Sequence, residues 1–177
     1  LTLVIAPDSE ADLEESIEAA NSASREHPCR VIVALPVNRD AAEAKLDAQI
    51  RVGHDAGAGE VVVLKLSGPL AAQASSTVTP FLLPDTPVVT WWPDLAPAVP
   101  AQDPLGRLAI RRITDATNGE DPLACIKSRL AGYTAGDTDL AWSRITYWRA
   151  LLTAAVDQAP HEPITRAVVS GLKEEPA

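Results

Sequence analysis

A chain of 177 residues, 46% hydrophobic and 22% charged, is long enough for one globular domain or one with the start of another, and too apolar to stay disordered. Its formal net charge of −9 excludes a nucleic-acid surface unless basic residues are concentrated, and Arg107, Arg111 and Arg112 form a group too small to read a groove. No apolar run approaches the roughly 18 residues of a membrane span and no basic leader precedes the first strand pattern, so no membrane partner and a cytoplasmic location are expected.

Leu1 to Ala6 is a short apolar run stopped by Pro7, the pattern of a buried strand. Ser9 with Asp12 resembles a capping box, and Leu13, Ile17, Ala20 and Ser24 then recur at helical spacing. Cys29 to Leu35 is a second apolar strand, expected to stop at Pro36, which completes a β-α-β unit. Leu46, Ala48, Ile50 and Val52 alternate with polar residues, whereas Val61 to Leu66 is almost wholly apolar. A half-exposed strand paired with a buried one is expected, joined by a turn across Gly53 to Gly59. Leu70, Ala74 and Val78 mark a helix from Leu70 to Thr79, ended by Pro80. Pro87 to Trp92 reads as a strand, and four prolines between Pro93 and Pro104 read as an ordered loop.

Pro104 to Ile110 can form a short helix capped by Asp103, and Arg111 to Asp115 a last strand. Leu123, Ile126 and Leu130 define one further helix, and Ile145, Trp148, Leu151, Leu152, Ala155 and Val156 a longer one; both are expected to close the sheet. The whole reads as an α/β fold, a mixed and mainly parallel sheet of five or six strands with flanking helices in Rossmann-like layering. Residues 1–158 form that domain and 159–177, with an apolar run at Ile164 to Val169, the start of a second. Leu1 lies inside a strand pattern and the chain has no Met, which gives the expectation of a piece of a longer protein.

Catalytic chemistry finds little support. Gly53, Gly57 and Gly59 match neither a dinucleotide fingerprint nor a Walker loop, and a strand follows them where a phosphate site needs a helix N-terminus. His27, His54 and His161 lack a second ligand at metal spacing, and Cys29 and Cys125 form no C-x-x-C, so both thiols are expected reduced and buried. Asp137-Thr138-Asp139 has the D-x-D form that holds a divalent ion, but the same letters cap a helix before Leu140 and Trp142, which is the favoured reading. Tryptophan is more informative: Trp91 and Trp92 are adjacent on a strand and must face opposite sides, one of them at the carboxyl edge where open α/β sheets bind ligands. Trp148 is expected in the core, while Trp142 is equally compatible with core and surface.

Gly53-His54-Asp55, Pro84 to Val89 with Trp91-Trp92-Pro93, Arg111-Arg112-Ile113-Thr114-Asp115 and Gly136 to Trp142 with Trp148-Arg149 occur in an order that resembles the OpcA family of glucose-6-phosphate dehydrogenase assembly proteins. The resemblance spans Leu46 to Asp157. It implies a partner without catalysis or cofactor of its own that binds glucose-6-phosphate dehydrogenase, promotes its active oligomer and raises its activity in the oxidative pentose phosphate pathway. On that reading Trp91, Trp92, Arg111, Arg112, Asp137, Asp139 and Trp142 form the partner-binding set. The alternative is an enzyme or sensor for a sugar phosphate or nucleotide, with Asp137 and Asp139 holding a metal.

Overall fold

The computed structural model describes residues 1–52, 60–158, 163, 165, 166 and 168. The expected turn across Gly53 to Gly59, with His54, lies outside them, as do His161 and half of the expected strand at Ile164 to Val169; Thr165, Arg166 and Val168 carry no regular structure.

The chain divides into two compact units, Leu1–Asp139 and Leu140–Ala177. In the first, β1 (Thr2–Ile5), α1 (Ala11–Glu26) and β2 (Arg30–Asn38) form the opening β-α-β unit. They are followed by β3 (Lys45–Val52), β4 (Glu60–Ser67), α2 (Pro69–Ala72), α3 (Ala74–Val78), β5 (Val88–Trp91), β6 (Arg111–Thr114), α4 (Pro122–Ala131) and β7 (Asp137–Asp139). The seven strands make one sheet in the order β3-β4-β2-β1-β5-β6-β7, parallel throughout except for β3 against β4. The α/β class and the mainly parallel mixed sheet thus agree with the sequence reading, with β7 as the strand it did not find.

Continuous apolar runs in β1, β2 and β4 are buried on both faces because alternate side chains enter different layers. Val4, Ile32, Ala34, Val62, Leu64 and Leu66 pack with Val78 and Trp92 on one side, and Ile5, Val31, Val33, Leu35, Val61 and Val63 pack with Leu13, Ile17 and Ala20 of α1 on the other. Val31 to Leu35 are at most 1% exposed, and burying each Val or Leu contributes about 1.5–3 kcal/mol.

Several boundaries differ from the expectation for local reasons. Pro36 does not end β2, since β1 stops opposite Val33 and leaves Pro36 with β4 as its one strand neighbour, where a missing donor is tolerated; the register then shifts before Asn38. Glu10, at the N-cap of α1, makes no side-chain cap, and the Ser9 hydroxyl donates to the Asp12 carboxylate. The helix expected over Leu70 to Thr79 is broken at Gln73, whose carbonyl accepts from the hydroxyls of Ser76 and Thr77. That carbonyl also accepts from Thr77 N at 3.2 Å, so the regular ladder resumes at Gln73, whose own N–H turns to Leu70 O at 2.9 Å in a 3-10 bond. Asp103 does cap the next segment, accepting from Leu105 N at 2.8 Å, but that segment makes only a single 3-10 turn, Gly106–Leu108.

The two later helices do not bury the stripes expected of them. On α4, Leu123 and Leu130 are 61% and 72% exposed; the helix is held instead by Arg129, which donates to the carbonyls of Ala96 and Pro97, and by Cys125 against Gly119. The second unit contains α5 (Leu140–Arg144) and α6 (Thr146–Asp157), neither with a buried residue. By compactness the chain separates before these helices, at Asp139. Among the described residues no helix is long and apolar enough to cross a membrane.

Candidate functional site

Strand order reverses between β1 and β5: the chain runs from β1 to β2 on one side and from β5 to β6 on the other. At the carboxyl ends of strands around such a switch point the two connections part and leave a crevice. Here it is a cavity of about 400 Å³, walled by Ala6 to Asp8 after β1, Pro36 and Arg39 at the end of β2, the alanines of α2 and α3, and Trp92 with Leu105. An exposed Asp8–Arg39 ion pair of 3.3 Å stands at its margin.

The crevice is unsuited to phosphate. The turn from β1 into α1 has no glycine, and it carries Asp8 and Glu10 with Asp12 and Glu14 in the first helical turn, where a pyrophosphate would need backbone amides and low negative charge. The same acidity acts on Asp94, whose pKa is raised by burial first and then by Asp12, Asp8, Glu15 and Asp115; its Oδ2 is buried without a hydrogen-bond partner. The native state therefore holds this proton more tightly than the unfolded chain does. Its stability contribution is greatest below the ordinary carboxylate value of 3.8 and is lost as pH rises through the raised native value. Asp94→Asn should accordingly raise the melting temperature at pH 7, and the gain should vanish below pH 3.8 in melts followed by circular dichroism.

Trp91 and Trp92 face opposite layers, as the strand period requires. Trp92 is 4% exposed and belongs to the core, where it also walls the crevice, so it cannot serve as an exposed docking anchor. Trp91 packs partly buried against the α1 layer, with its indole Nε1 buried and unpartnered.

Arg112, Asp137 and Asp139 are brought together, but for internal work. Asp137-Thr138-Asp139 forms β7, directly before α5, and its two carboxylates project to one face at period two, toward Arg112 and Thr114 of β6. Arg112 is 6% exposed, donates from Nε to Asp137 Oδ1, from Nη1 to Ala109 O at 3.0 Å and from Nη2 to Ala135 O at 2.6 Å. The other Asp137 oxygen accepts from Thr134 N at 2.8 Å. Asp139 accepts from Thr114 Oγ1 at 2.6 Å and from Ala116 N at 3.1 Å. Gly136 permits this approach: its φ is +98° and a Cβ there would stand 2.5 Å from Ile110 O and 2.9 Å from Arg112 Nη2. The D-x-D pair is thus a clasp between the last two strands, with its oxygens directed at protein donors and not at a shared cation. Among the described residues no group of three or more His, Cys, Asp or Glu side chains could hold a metal. Cys29 and Cys125 are unpaired thiols of intermediate exposure, not buried ones.

Arg111 and Trp142 remain on the surface. Trp142 is 58% exposed and Arg149 lies over its ring, 3.8 Å from the centroid, which restrains the indole. Trp148, expected in the core, is 66% exposed, and Tyr147, Leu151 and Leu152 of the same helix are exposed with it. The wide apolar stripe of α6 was legible in the sequence; that it stays uncovered was not.

Residues 20–131 match the family described as the N-terminal domain of a glucose-6-phosphate dehydrogenase subunit, and residues 135–177 match the family described as the C-terminal domain of the same protein. The resemblance drawn from the motifs is thereby confirmed. No curated protein matches the chain.

Proposed function

Because the chain belongs to the family of glucose-6-phosphate dehydrogenase subunits, with the N-terminal domain at residues 20–131 and the C-terminal domain at 135–177, we propose that it is a non-catalytic assembly factor that binds the dehydrogenase and favours its active oligomer. In this role it acts in the oxidative pentose phosphate pathway, in the cytoplasm, and needs no cofactor. The observation that carries the reading is the exposed aromatic face of the second unit, Trp142 under Arg149 with Tyr147 and Trp148, within the segment that matches the C-terminal domain. Large, partly restrained indoles surrounded by aliphatic side chains are the usual anchors of protein interfaces. Arg111, exposed on the first unit, is proposed as a further contact with the dehydrogenase.

The mechanism is a shift of population. An assembly factor that binds the active oligomer more tightly than the inactive form moves the equilibrium by that difference alone, about 1.4 kcal/mol for each tenfold. Mixing the purified chain with the dehydrogenase should give co-elution on size exclusion, a larger dehydrogenase assembly and a higher rate. Separate elution with unchanged rate would end the proposal. The metal-dependent sugar-phosphate reading is set aside, since Asp137 and Asp139 are turned to Arg112, Thr114 and backbone amides and the crevice presents carboxylates where a phosphate would sit.

A further inference from the structure

The strand at one end of the sheet has the properties of an association edge. β3 runs eight residues, Lys45–Val52, in unbroken antiparallel register with β4, and contains no proline, glycine or register shift to blunt its outer side. Sheets ordinarily guard such edges with those devices or with a covering segment. Its side chains segregate by face. Leu46, Ala48 and Ile50 lie opposite Leu66, Leu64 and Val62, on the layer covered by α2 and α3, while Asp47, Gln49 and Arg51 lie opposite Lys65, Val63 and Val61, on the α1 layer. The apolar row is the wetter one: Leu46, Ile50 and Val52 are 42%, 67% and 69% exposed, because α2 and α3 are only four and five residues long and pack over β2 and β4.

Directly opposed residues of an antiparallel pair share a face, so an added strand keeps apolar with apolar only in alternate registers. Among these, a self-pairing centred on Gln49 is distinctive. It sets Asp47 opposite Arg51 of a second copy, and Arg51 opposite its Asp47, with Leu46 facing Val52 and Ala48 facing Ile50. Centring on Ala48 would instead set Lys45 against Arg51, like against like, and centring on Ile50 would remove Asp47 from Arg51 altogether. Arg51 already donates Nη1 to Glu14 at 2.6 Å and can offer Nη2 to the incoming carboxylate.

We propose that β3 pairs with β3 of a second copy of this chain across a two-fold axis at Gln49, joining two sheets into one through two Asp47–Arg51 pairs on one face and an apolar row on the other. The charge order of the strand is complementary to itself, which an isologous contact requires and a partner of unrelated sequence would not.

Sedimentation velocity of the full chain from about 1 to 100 μM should show a dimer. Asp47→Arg and Arg51→Asp each bring like charges face to face and should raise the dissociation constant about tenfold or more. An equimolar mixture of the two variants should recover a dimer, since every facing pair in the mixed species is then opposite in charge. Ile50→Lys, on the other face, should weaken the dimer with all those charges in place. Unchanged far-ultraviolet dichroism checks that the variants are folded. A wild-type chain that stays monomeric across the range overturns the proposal, as does a mixture that forms no heterodimer. A monomer whose Asp47→Arg variant loses the dehydrogenase would assign this edge to a heterologous strand, and that too overturns it. Dimerisation and co-elution with the dehydrogenase are separate measurements, so the failure of one leaves the other standing.

Discussion

Trp142→Ala weakens binding to glucose-6-phosphate dehydrogenase about thirtyfold, the effect of losing an interface anchor worth roughly 2 kcal/mol. Trp148→Ala has a similar effect, and Arg149→Ala a smaller one, because it removes only the cation that steadies the Trp142 ring from 3.8 Å. Stability separates docking from packing. A tryptophan in a core costs about 3–5 kcal/mol on truncation, whereas Trp142 and Trp148 are 58% and 66% exposed and their loss should leave the unfolding midpoint nearly unchanged. Titration calorimetry against the dehydrogenase, with urea unfolding of each variant beside it, provides both numbers. Variants that bind at wild-type strength would remove the aromatic face from the interaction; variants that bind weakly because they have unfolded would assign the indoles to packing.

Arg112→Ala has the opposite signature, a large loss of stability. It leaves the Asp137 carboxylate, whose side chain is 13% exposed, without its cation and strands the carbonyls of Ala109 and Ala135. Breaking a buried pair by removing one partner costs about 3–5 kcal/mol, a large fraction of the 5–15 kcal/mol that holds a typical domain together. Arg112→Lys should recover little, since a point charge cannot serve a carboxylate and two carbonyls in three directions at once. Asp137→Asn should cost less, because an amide oxygen can still accept from the Arg112 Nε. The measurement is the urea midpoint at constant m-value. A stable Arg112→Ala protein that has lost only its affinity for the dehydrogenase would return Arg112 to the partner surface and contradict the clasp.

Elements that bury continuous apolar runs were legible from the chain alone. Val31 to Leu35 and Val61 to Leu64 are buried on both faces of the sheet, and such runs leave no choice of environment. The opposed placement of Trp91 and Trp92 follows from the strand period itself. The break at Gln73, where the N–H bonds Leu70 O in a 3-10 turn, is a local change that periodicity does not register. β7 was hidden because three residues, two of them Asp, carry neither a period nor a β-propensity.

For this protein, composition and hydrophobic pattern determined the fold class, which runs are buried strands and, with several motifs in sequence, the family. Only the tertiary structure decided which apolar stripes are covered and which carboxylates are free. The alternation Leu46, Ala48, Ile50, Val52 and the stripes of α4 and α6 are the kind that cores use, yet they face solvent, because coverage depends on what else packs there and not on the stripe. Asp137 and Asp139 likewise could cap, bind metal or dock. The pairing of β7 with β6 set their carboxylates against Arg112 and Thr114, residues some 25 positions away, and a contact at that separation leaves no periodic trace in the chain.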